Sequence, residues 1–407
     1  MFLISSPLLA QTKPRAKMAT LTLKIFPVEH DLLVGGESLK KIKTAENTYK
    51  VYLEAKEQEL LFRAPGYLPK TIKIQLSKNL FIEDKLEKDT KYFTRINQIQ
   101  SGVQPKSVEF TPDGKYFLSA LLLDKGIDVF SPALGTKLRT LELPLKYQRQ
   151  KGFVEIAFVK RLQEIWVSQM TTGMVHIFSL ADFSYKESFS VKGTWSKVIT
   201  IDHAEKTAYV SNWLSKNISV IDIEKRQVLA KIATPGIPRG MVITPDDKYL
   251  YACIFQGDGR IQKIDLATRK IVKALETPAG VKRHIVQDSK RGLFYVSDMR
   301  RGSIMVIDSA KDTLLQEVQV AKNLNTIKLS PDGKYLYISS RGPNGPNFLN
   351  KGPEFGKIFI METGKMKILE WFWGKNQPTG LDVSPDGRYL AFTDFLDATV
   401  EVYRVNL

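Results

Sequence analysis

A turn motif that recurs four times along the chain limits the possible folds more than any other feature of the sequence. Three near-identical copies of Ser/Thr-Pro-Asp-Gly-Lys/Arg-Tyr begin at Thr111, Ser330 and Ser384, and a copy with Asp in place of Gly begins at Thr244. Proline fixes φ for a turn, and Asp-Gly supplies the positive φ of a tight hairpin. Each copy joins two apolar runs, so each predicts the tip of a β-hairpin.

Weaker copies fill the rest of the chain with a constant period. Three successive units carry an Ile-Asp pair at the same place, at Asp222, Asp265 and Asp308, with equal intervals of about 43 residues. Four short strands in a unit of this length are typical of propeller blades. The units fall at 105–143, 152–191, 195–234, 237–277, 281–320, 324–374 and 377–407.

The last of these seven units contains only three strands, so its edge would be unpaired if the chain supplied nothing else. The run 91–100, just before the first blade, has strand character and no blade of its own. We therefore expect this strand to complete the last blade and close a ring that spans 91–407. The alternative is an isolated linker strand, which would leave the edge bare.

The repeated Ser-Pro-Asp-Gly-Lys-Tyr-Leu-Tyr units, together with the recurring Val-Ile-Asp, resemble the YVTN type of seven-bladed β-propeller, a WD-repeat-like fold. The resemblance covers about 90–407 and implies an architecture. It does not imply a function, since propellers bind, scaffold or catalyse according to their loops.

The segment before the propeller has a different spacing of strand-like runs and turns. Strand-like runs occur within 18–80, with turns at Gly35-Gly36 and at Ala64-Pro-Gly-Tyr67. The pattern resembles the PEGA module, a small immunoglobulin-like β-sandwich often attached to bacterial envelope proteins. The charged stretch 81–90 is predicted to be a linker. The fold class expected for the whole chain is therefore all-β, with a small immunoglobulin-like sandwich before a seven-bladed propeller.

The first residues suggest export. Met1–Ala10 is apolar like the central part of a signal peptide, although the basic segment that normally precedes it is missing. Two interpretations of 1–17 stay open: the remainder of an export signal, which favours a periplasmic or cell-surface protein, and a disordered tail on a cytoplasmic one.

Composition excludes several chemistries. A single cysteine, Cys253, rules out an internal disulfide framework and a four-cysteine zinc site. The four histidines do not converge in the predicted blades, and there is no haem attachment motif, nucleophile elbow or phosphate loop. No apolar stretch is long enough for a membrane-spanning helix. We therefore predict no metal and no cofactor, while the net charge of +17 favours an anionic partner.

The start of each innermost strand gives the most specific functional signal. Aligning the blades on their hairpins places one residue of each blade at an equivalent location, here called the mouth position: Lys106, Val154, Lys197, Arg239, Arg283, Asn325 and Thr379. Four of these seven are basic, and pseudo-symmetry would arrange them around one end of the central channel. Like charges gathered at one site favour an anion unless carboxylates offset them. In the alternative interpretation, each points sideways and pairs with Glu109, Glu155 or Asp382.

Further candidates lie beside the mouth position. His284 follows Arg283 directly, and the long loop 340–356 of the sixth blade is expected on the same face. The loops of the fifth and sixth blades add the candidate ligand-binding residues Asp298, Arg300, Arg341, Asn344, Asn347 and Lys351.

Three functions are compatible with this pattern. The leading one is a non-enzymatic bacterial envelope or secreted propeller that binds a protein, an anionic polymer or a small acid on the channel face. The second is a hydrolase of the lactonase type, for which Arg239, Arg283, His284 and Asp298 would be the catalytic candidates. Nucleic-acid binding ranks lowest, because the lysines lack interleaved aromatic residues. The sequence gives no signal for an oligomeric state.

Overall fold

The computed structural model describes residues 16–148 and 151–407, and the chain divides into two compact units, Met1–Asp89 and Thr90–Leu407. The expected export signal or tail over 1–17 therefore lies almost entirely outside the described residues. Strands form both units, and a single short helix, α1 (Leu145–Gln148), occurs among the described residues.

The N-terminal unit consists of two four-stranded sheets that share one apolar core. Its strands are β1 (Met18–Phe26), β2 (Asp31–Val34), β3 (Glu37–Ser38), β4 (Ile42–Ala45), β5 (Thr48–Glu54), β6 (Glu57–Arg63), β7 (Lys70–Gln75) and β8 (Leu80–Lys85). One sheet has the order β4-β5-β1-β8 and the other β3-β2-β6-β7. Alternate residues of β1 and β6, among them Leu21, Leu23, Leu60 and Phe62, are buried in the common core.

The linker expected over 81–90 is wrong for its first half, because Leu80–Lys85 form β8, a strand of the first sheet. It runs parallel to β1, with Leu21 opposite Leu80. Its charged residues are paired rather than solvated: Glu83 contacts Lys24 at 2.9 Å and Asp84 contacts Lys70 at 2.6 Å. A charge-rich sequence therefore forms a sheet edge here, since its charges meet partners that are distant in sequence.

The second unit contains seven four-stranded antiparallel sheets, which confirms the predicted seven-bladed propeller. The first three blades are β10 (Glu109–Phe110), β11 (Phe117–Ala120), β12 (Ile127–Ser131) and β13 (Thr136–Leu141); β14 (Phe153–Val159), β15 (Glu164–Gln169), β16 (Met174–Ser179) and β17 (Tyr185–Ser190); and β18 (Ser196–Ile201), β19 (Thr207–Asn212), β20 (Asn217–Asp222) and β21 (Gln227–Ala233). The fourth to sixth blades are β22 (Ile237–Ile243), β23 (Tyr249–Gln256), β24 (Ile261–Asp265) and β25 (Lys270–Leu275); β26 (Lys282–Asp288), β27 (Leu293–Asp298), β28 (Ser303–Asp308) and β29 (Thr313–Gln319); and β30 (Leu324–Leu329), β31 (Tyr335–Ser340), β32 (Lys357–Glu362) and β33 (Lys367–Trp373). The seventh blade consists of β34 (Pro378–Val383), β35 (Tyr389–Asp394), β36 (Thr399–Val405) and β9 (Phe93–Gln100), which comes from the start of the unit.

The ring is closed by strands from both ends of this unit. Strand β9 pairs antiparallel with β36, from Gln100 opposite Thr399 to Phe93 opposite Val405. Phe93 is buried against Phe372 of the sixth blade, with ring centroids 5.0 Å apart. The inner strand β10 of the first blade also packs against β34 of the last. Each of the seven blades therefore has four strands.

The recurring turn motif folds in the same way at each hairpin tip. In the sixth blade the Ser330 hydroxyl donates to Asp332 at 2.7 Å and accepts the amide of Tyr335 at 2.9 Å. Gly333 then adopts a φ of +77°, which other residues rarely take. Where the fourth copy has Asp247 instead, its φ is +53° and its carboxylate accepts the backbone amide and ring nitrogen of His203 in the preceding blade.

In the second, fifth and sixth blades, a buried hydroxyl near the end of the second strand ties the blade to the next one. Ser168 donates to the carbonyl of Lys197 at 2.6 Å, and Ser297 donates to that of Asn325 at 2.8 Å. The equivalent position in the fourth blade is Cys253, which is fully buried. Burial raises the pKa of this thiol to about 12, so it is an uncharged part of the core. The serine contacts hold the inner strand of one blade against the second strand of the preceding blade.

Candidate functional site at the channel mouth

One hydrogen bond repeats in six of the seven blades and locates the mouth position there. A residue just after the second strand donates its amide to the carbonyl two residues before the mouth position. We call this donor the collar position. The pairs are Leu122 with Gln104, Met170 with Gly152, Trp213 with Trp195, Met299 with Val281, Arg341 with Asn323 and Phe395 with Gln377. In the fourth blade Phe255 occupies the collar position beside a bulged inner strand. The loops that carry both positions lie on one face, the mouth face.

The structure brings the four basic residues of the mouth position together and adds a fifth from the collar. Lys197, Arg239, Arg283 and Arg341 are buried, and Lys106 is partly buried. Burial lowers the pKa of Lys106 well below its ordinary value, and the charges of the other four lower it further. Burial and the neighbouring arginines lower the pKa of Lys197 in the same way. The five side chains therefore form one electrostatically coupled cluster, the basic cluster.

Carboxylates offset only part of this charge. Glu155 contacts Arg239 at 2.9 Å, so the sideways pairing considered from the sequence holds for this arginine. Arg283 instead donates from Nε to the neutral amide oxygen of Asn325 at 2.5 Å, and Arg341 donates to the side-chain oxygen of Gln377. Neutral partners satisfy hydrogen bonds and leave the positive charge uncompensated.

Aromatic rings separate the cations, a feature that the sequence interpretation missed. The Lys197 ammonium lies 3.4 Å from the centroid of a Trp213 ring, and the Arg283 guanidinium lies 5.7 Å from that of Phe255. The Lys106 ammonium lies 4.6 Å from the centroid of Phe395. All three rings belong to the collar position. Ring faces attract cations without neutralising them, so the cluster keeps its attraction for an anion.

Several buried hydrogen-bond donors at the mouth have no partner among the described residues. They are Arg239 Nε, Arg341 Nε, Asn325 Nδ2 and Trp213 Nε1, with one acceptor, Gln104 Oε1, left without a partner at the same face. Buried polar atoms are nearly always hydrogen-bonded in folded proteins. Four unpartnered donors, which we call the orphan donors, lie in or next to the five cations, and such an arrangement suits the oxygens of an anion.

Below the mouth, the channel narrows and becomes acidic. A cavity of about 20 Å³, room for a single water molecule, is lined in part by Lys106, Glu109, Glu155 and His284. Burial lowers the pKa of His284 well below its ordinary value, and Nδ1 of its ring has no partner. The same Glu109, Glu155 and His284 also line a second, wider cavity of about 450 Å³.

A buried ion cluster lies further along the channel. Lys328 contacts Glu109 at 3.0 Å and Asp382 at 3.2 Å. Burial raises the pKa of Glu109 to about 8, and the nearby Asp382 and Glu155 charges also raise it, against the opposing effect of Lys328. One lysine between two carboxylates therefore retains its charge, while Glu109 holds its proton near neutral pH.

Other predicted site residues lie outside this arrangement. Asp298 is fully buried but pairs with Lys282 at 2.9 Å and accepts the backbone amides of Val281 and Arg301, so it holds a turn of the fifth blade. Its assignment to a catalytic group with His284 is wrong, because its carboxylate is saturated by these partners. Arg300 is exposed beside this turn.

The loop of the sixth blade contributes one side chain to the basic cluster, Arg341. The other candidates in this loop, Asn344 and Asn347, are exposed, and Lys351 contacts Asp397 at 2.8 Å. The loop is also held by the Gln377 amide, which donates to the carbonyl of Phe348 at 2.9 Å. These residues form the edge of the mouth rather than its floor.

Two further properties apply to the described parts of the chain. Within 16–148 and 151–407, no three histidine, cysteine or acidic side chains gather as metal ligands. Over the same residues, none of the helical structure has the length and hydropathy that a membrane crossing requires.

Seven four-stranded blades with a charged channel define the class of this chain as a seven-bladed β-propeller. The family model described as "Lactonase, 7-bladed beta-propeller" matches residues 241–407, which cover the fourth to seventh blades. A similar arrangement of chain occurs in hydrazine synthase of Kuenenia stuttgartiensis, with a TM-score of 0.50 and 20% identity over 56% of this chain and 70% of that chain. This last likeness concerns the fold alone.

A relative of nearly the same length identifies the family. Antigen Lp49 of Leptospira interrogans serogroup Icterohaemorrhagiae serovar copenhageni (strain Fiocruz L1-130) is 37% identical over 425 residues, which cover 99% of this chain and 91% of the relative. The chain belongs to the family of antigen Lp49. The match extends through both units of this chain.

Proposed function

We propose that this chain is a non-enzymatic, exported bacterial propeller that binds an anionic ligand at the channel mouth. The ligand class is a small polyacid or an anionic group on a polymer or partner protein. The observation that carries the proposal is the basic cluster with its four orphan donors. Such a cluster raises the free energy of the empty protein through like-charge repulsion and desolvation, and a bound anion would relieve both.

The remaining features of the chain extend this proposal. The N-terminal sheets are an immunoglobulin-like sandwich of the PEGA type that acts as a spacer or attachment unit, and the blades are of the YVTN type. A location in the cell envelope or outside the cell is supported by the apolar start of the chain and by the antigen that is its relative.

Calorimetric titration with tripolyphosphate tests the binding site. We expect the double variant Arg283→Met/Arg341→Met to bind at least about tenfold more weakly than the wild type, since each arginine supplies a charge-assisted contact. The matched control is Lys248→Met/Lys334→Met on the opposite hairpin tips, where each lysine already contacts the aspartate of its own turn. Both pairs remove the same charge. Equal losses of tripolyphosphate affinity would therefore show that the net charge of +17 attracts the anion without a specific site, and would contradict the site assignment.

The second candidate function, lactone hydrolysis, is favoured by the family model that matches 241–407. It would depend on His284, Arg239 and the adjacent Glu155, which meet in the channel. The test is turnover of lactone and ester substrates with and without divalent metal ions. Activity that disappears in His284→Ala while the fold is retained would replace the binding proposal by the hydrolase; background rates would support binding.

A further inference from the structure

Exposed apolar side chains surround the basic cluster at three places. They form pairs in loops of the mouth face: Val103 with Leu123 in the first blade, Trp195 with Leu214 in the third, and Phe348 with Leu349 in the sixth. We call these three pairs the rim. Backbone hydrogen bonds from Leu123 to Val103 and from Leu214 to Thr194 hold the first two pairs together.

The rim is joined to the basic cluster by direct contacts. The Lys197 ammonium lies 5.7 Å from the centroid of the Trp195 ring. Gln377 binds both the Arg341 guanidinium and the carbonyl of Phe348. An object that covers the rim would therefore also cover the cluster.

The spacing of the rim favours a flat partner. Around the ring of seven blades, the three pairs are two, three and two blades apart, so they surround the mouth on all sides. A single ligand chain leaving the mouth would contact one side only. Three apolar contacts around a basic centre instead match a bilayer surface, whose anionic headgroups enter the mouth while the apolar side chains enter the interfacial layer.

On the opposite face, charge is compensated locally. Its hairpin-tip cations contact an acid of the same turn, as Lys115 does with Asp113 at 3.5 Å and Arg388 with Asp386 at 2.6 Å. Local pairing of this kind leaves little charge to attract an anionic surface.

We propose that the mouth face docks on a membrane surface that contains anionic lipid and takes a phosphate-bearing headgroup into the basic cluster. This inference rests on the proposed anion site and adds the source of the anion. Exposure supports it: Phe348 is 57% and Leu214 54% exposed, although both side chains are large and apolar. Exposed apolar groups beside a basic patch are characteristic of proteins that bind anionic bilayers.

Co-sedimentation of the full chain with vesicles tests the proposal. We expect binding to vesicles of phosphatidylcholine with phosphatidylglycerol and none to phosphatidylcholine alone. The rim variant Leu214→Ser/Phe348→Ser should bind mixed vesicles about tenfold more weakly or worse, since burying one such side chain contributes roughly a decade of affinity. Its matched control, Leu229→Ser/Leu315→Ser, removes two apolar side chains that are exposed on outer strands and should bind as the wild type does.

Tripolyphosphate binding separates failure of this proposal from failure of the anion site. The rim variant should bind tripolyphosphate normally, whereas Arg283→Met/Arg341→Met should lose both ligands. Wild-type protein that binds tripolyphosphate but ignores mixed vesicles would overturn membrane docking and leave the anion site intact. Equal vesicle binding by the rim variant and its control would also overturn it. A protein that binds neither ligand would contradict both proposals.

Discussion

At the scale of single residues, Lys106 shows how binding and stability oppose each other. Its ammonium lies over the ring of Phe395, and burial, followed by four neighbouring cations, lowers its pKa. Lys106→Met keeps the length of the side chain and removes the repulsion. We expect the free energy of unfolding of this variant to be about 0.5–2 kcal/mol higher than that of the wild type, as is common when a strained functional site is relieved. We also expect it to bind tripolyphosphate more weakly.

Thermal unfolding and titration calorimetry on the same samples measure both quantities. Lys115→Met on a hairpin tip serves as the control, since Lys115 contacts the acid of its own turn. A Lys106 variant that loses stability would mean that the cluster is compensated within the protein and has no need of an anion.

Glu109 provides a residue-scale prediction on pH. Its pKa is raised to about 8 in the folded chain, above the unfolded value of roughly 4.3 for a glutamate. The folded state therefore binds more protons between these limits, and the free energy of unfolding should fall as pH rises through that window. Glu109→Gln removes this titration.

Denaturant unfolding at several pH values measures the effect. The gain in stability of Glu109→Gln over the wild type should be larger at about pH 9 than at about pH 5. A difference that is independent of pH, or larger in acid, would show that Lys328 holds Glu109 ionised throughout.

At the scale of elements, closure by β9 is the feature on which the propeller unit depends. A chain that starts at Thr90 keeps β9 and should remain folded, because all strands of the seven blades lie in Thr90–Leu407. A chain that starts at Ser101 leaves the outer edge of β36 unpaired and should lose solubility or unfold at markedly lower temperature. Circular dichroism during heating compares the two, and equal stability would contradict closure by β9.

The sequence predicted the elements that local chemistry determines. Hairpin tips follow from Pro-Asp-Gly, and the equal spacing of the repeats is sufficient to count blades. Alignment of those repeats also indicated that Lys197 and Arg283 share one location. The collar residue Trp213 was missed. Its position at the end of a second strand recurs around the ring, so the collar residues of the blades could have been aligned in the same way.

Contacts between distant segments were beyond the sequence interpretation. Strand β8 looked like a linker because its partner β1 lies about sixty residues earlier and pairs with it in parallel. Asp298 looked available for catalysis because Lys282, its partner directly opposite in the β26–β27 hairpin, lies 16 residues away in sequence. Neither pairing has a local signal.

At the scale of the whole molecule, charge is distributed by face rather than uniformly. Hairpin-tip cations contact acids within their own turns, whereas the basic cluster contacts one carboxylate, Glu155, and keeps orphan donors at the mouth. The net charge of +17 does not describe this unequal pairing at the two ends of the channel. Binding at the mouth should weaken steeply with added salt, since exposed attraction is screened over about 10 Å at 0.1 M salt.

The central claim is that an anion binds among the mouth arginines, and anomalous diffraction from crystals grown with tungstate tests it most directly. Tungstate is a tetrahedral dianion like phosphate and scatters strongly enough to be located without other phase information. We expect a strong anomalous peak in the channel mouth, within hydrogen-bond distance of Arg239 Nε or Arg341 Nε. Peaks confined to exposed lysines, with the mouth empty at the same tungstate concentration, would contradict it.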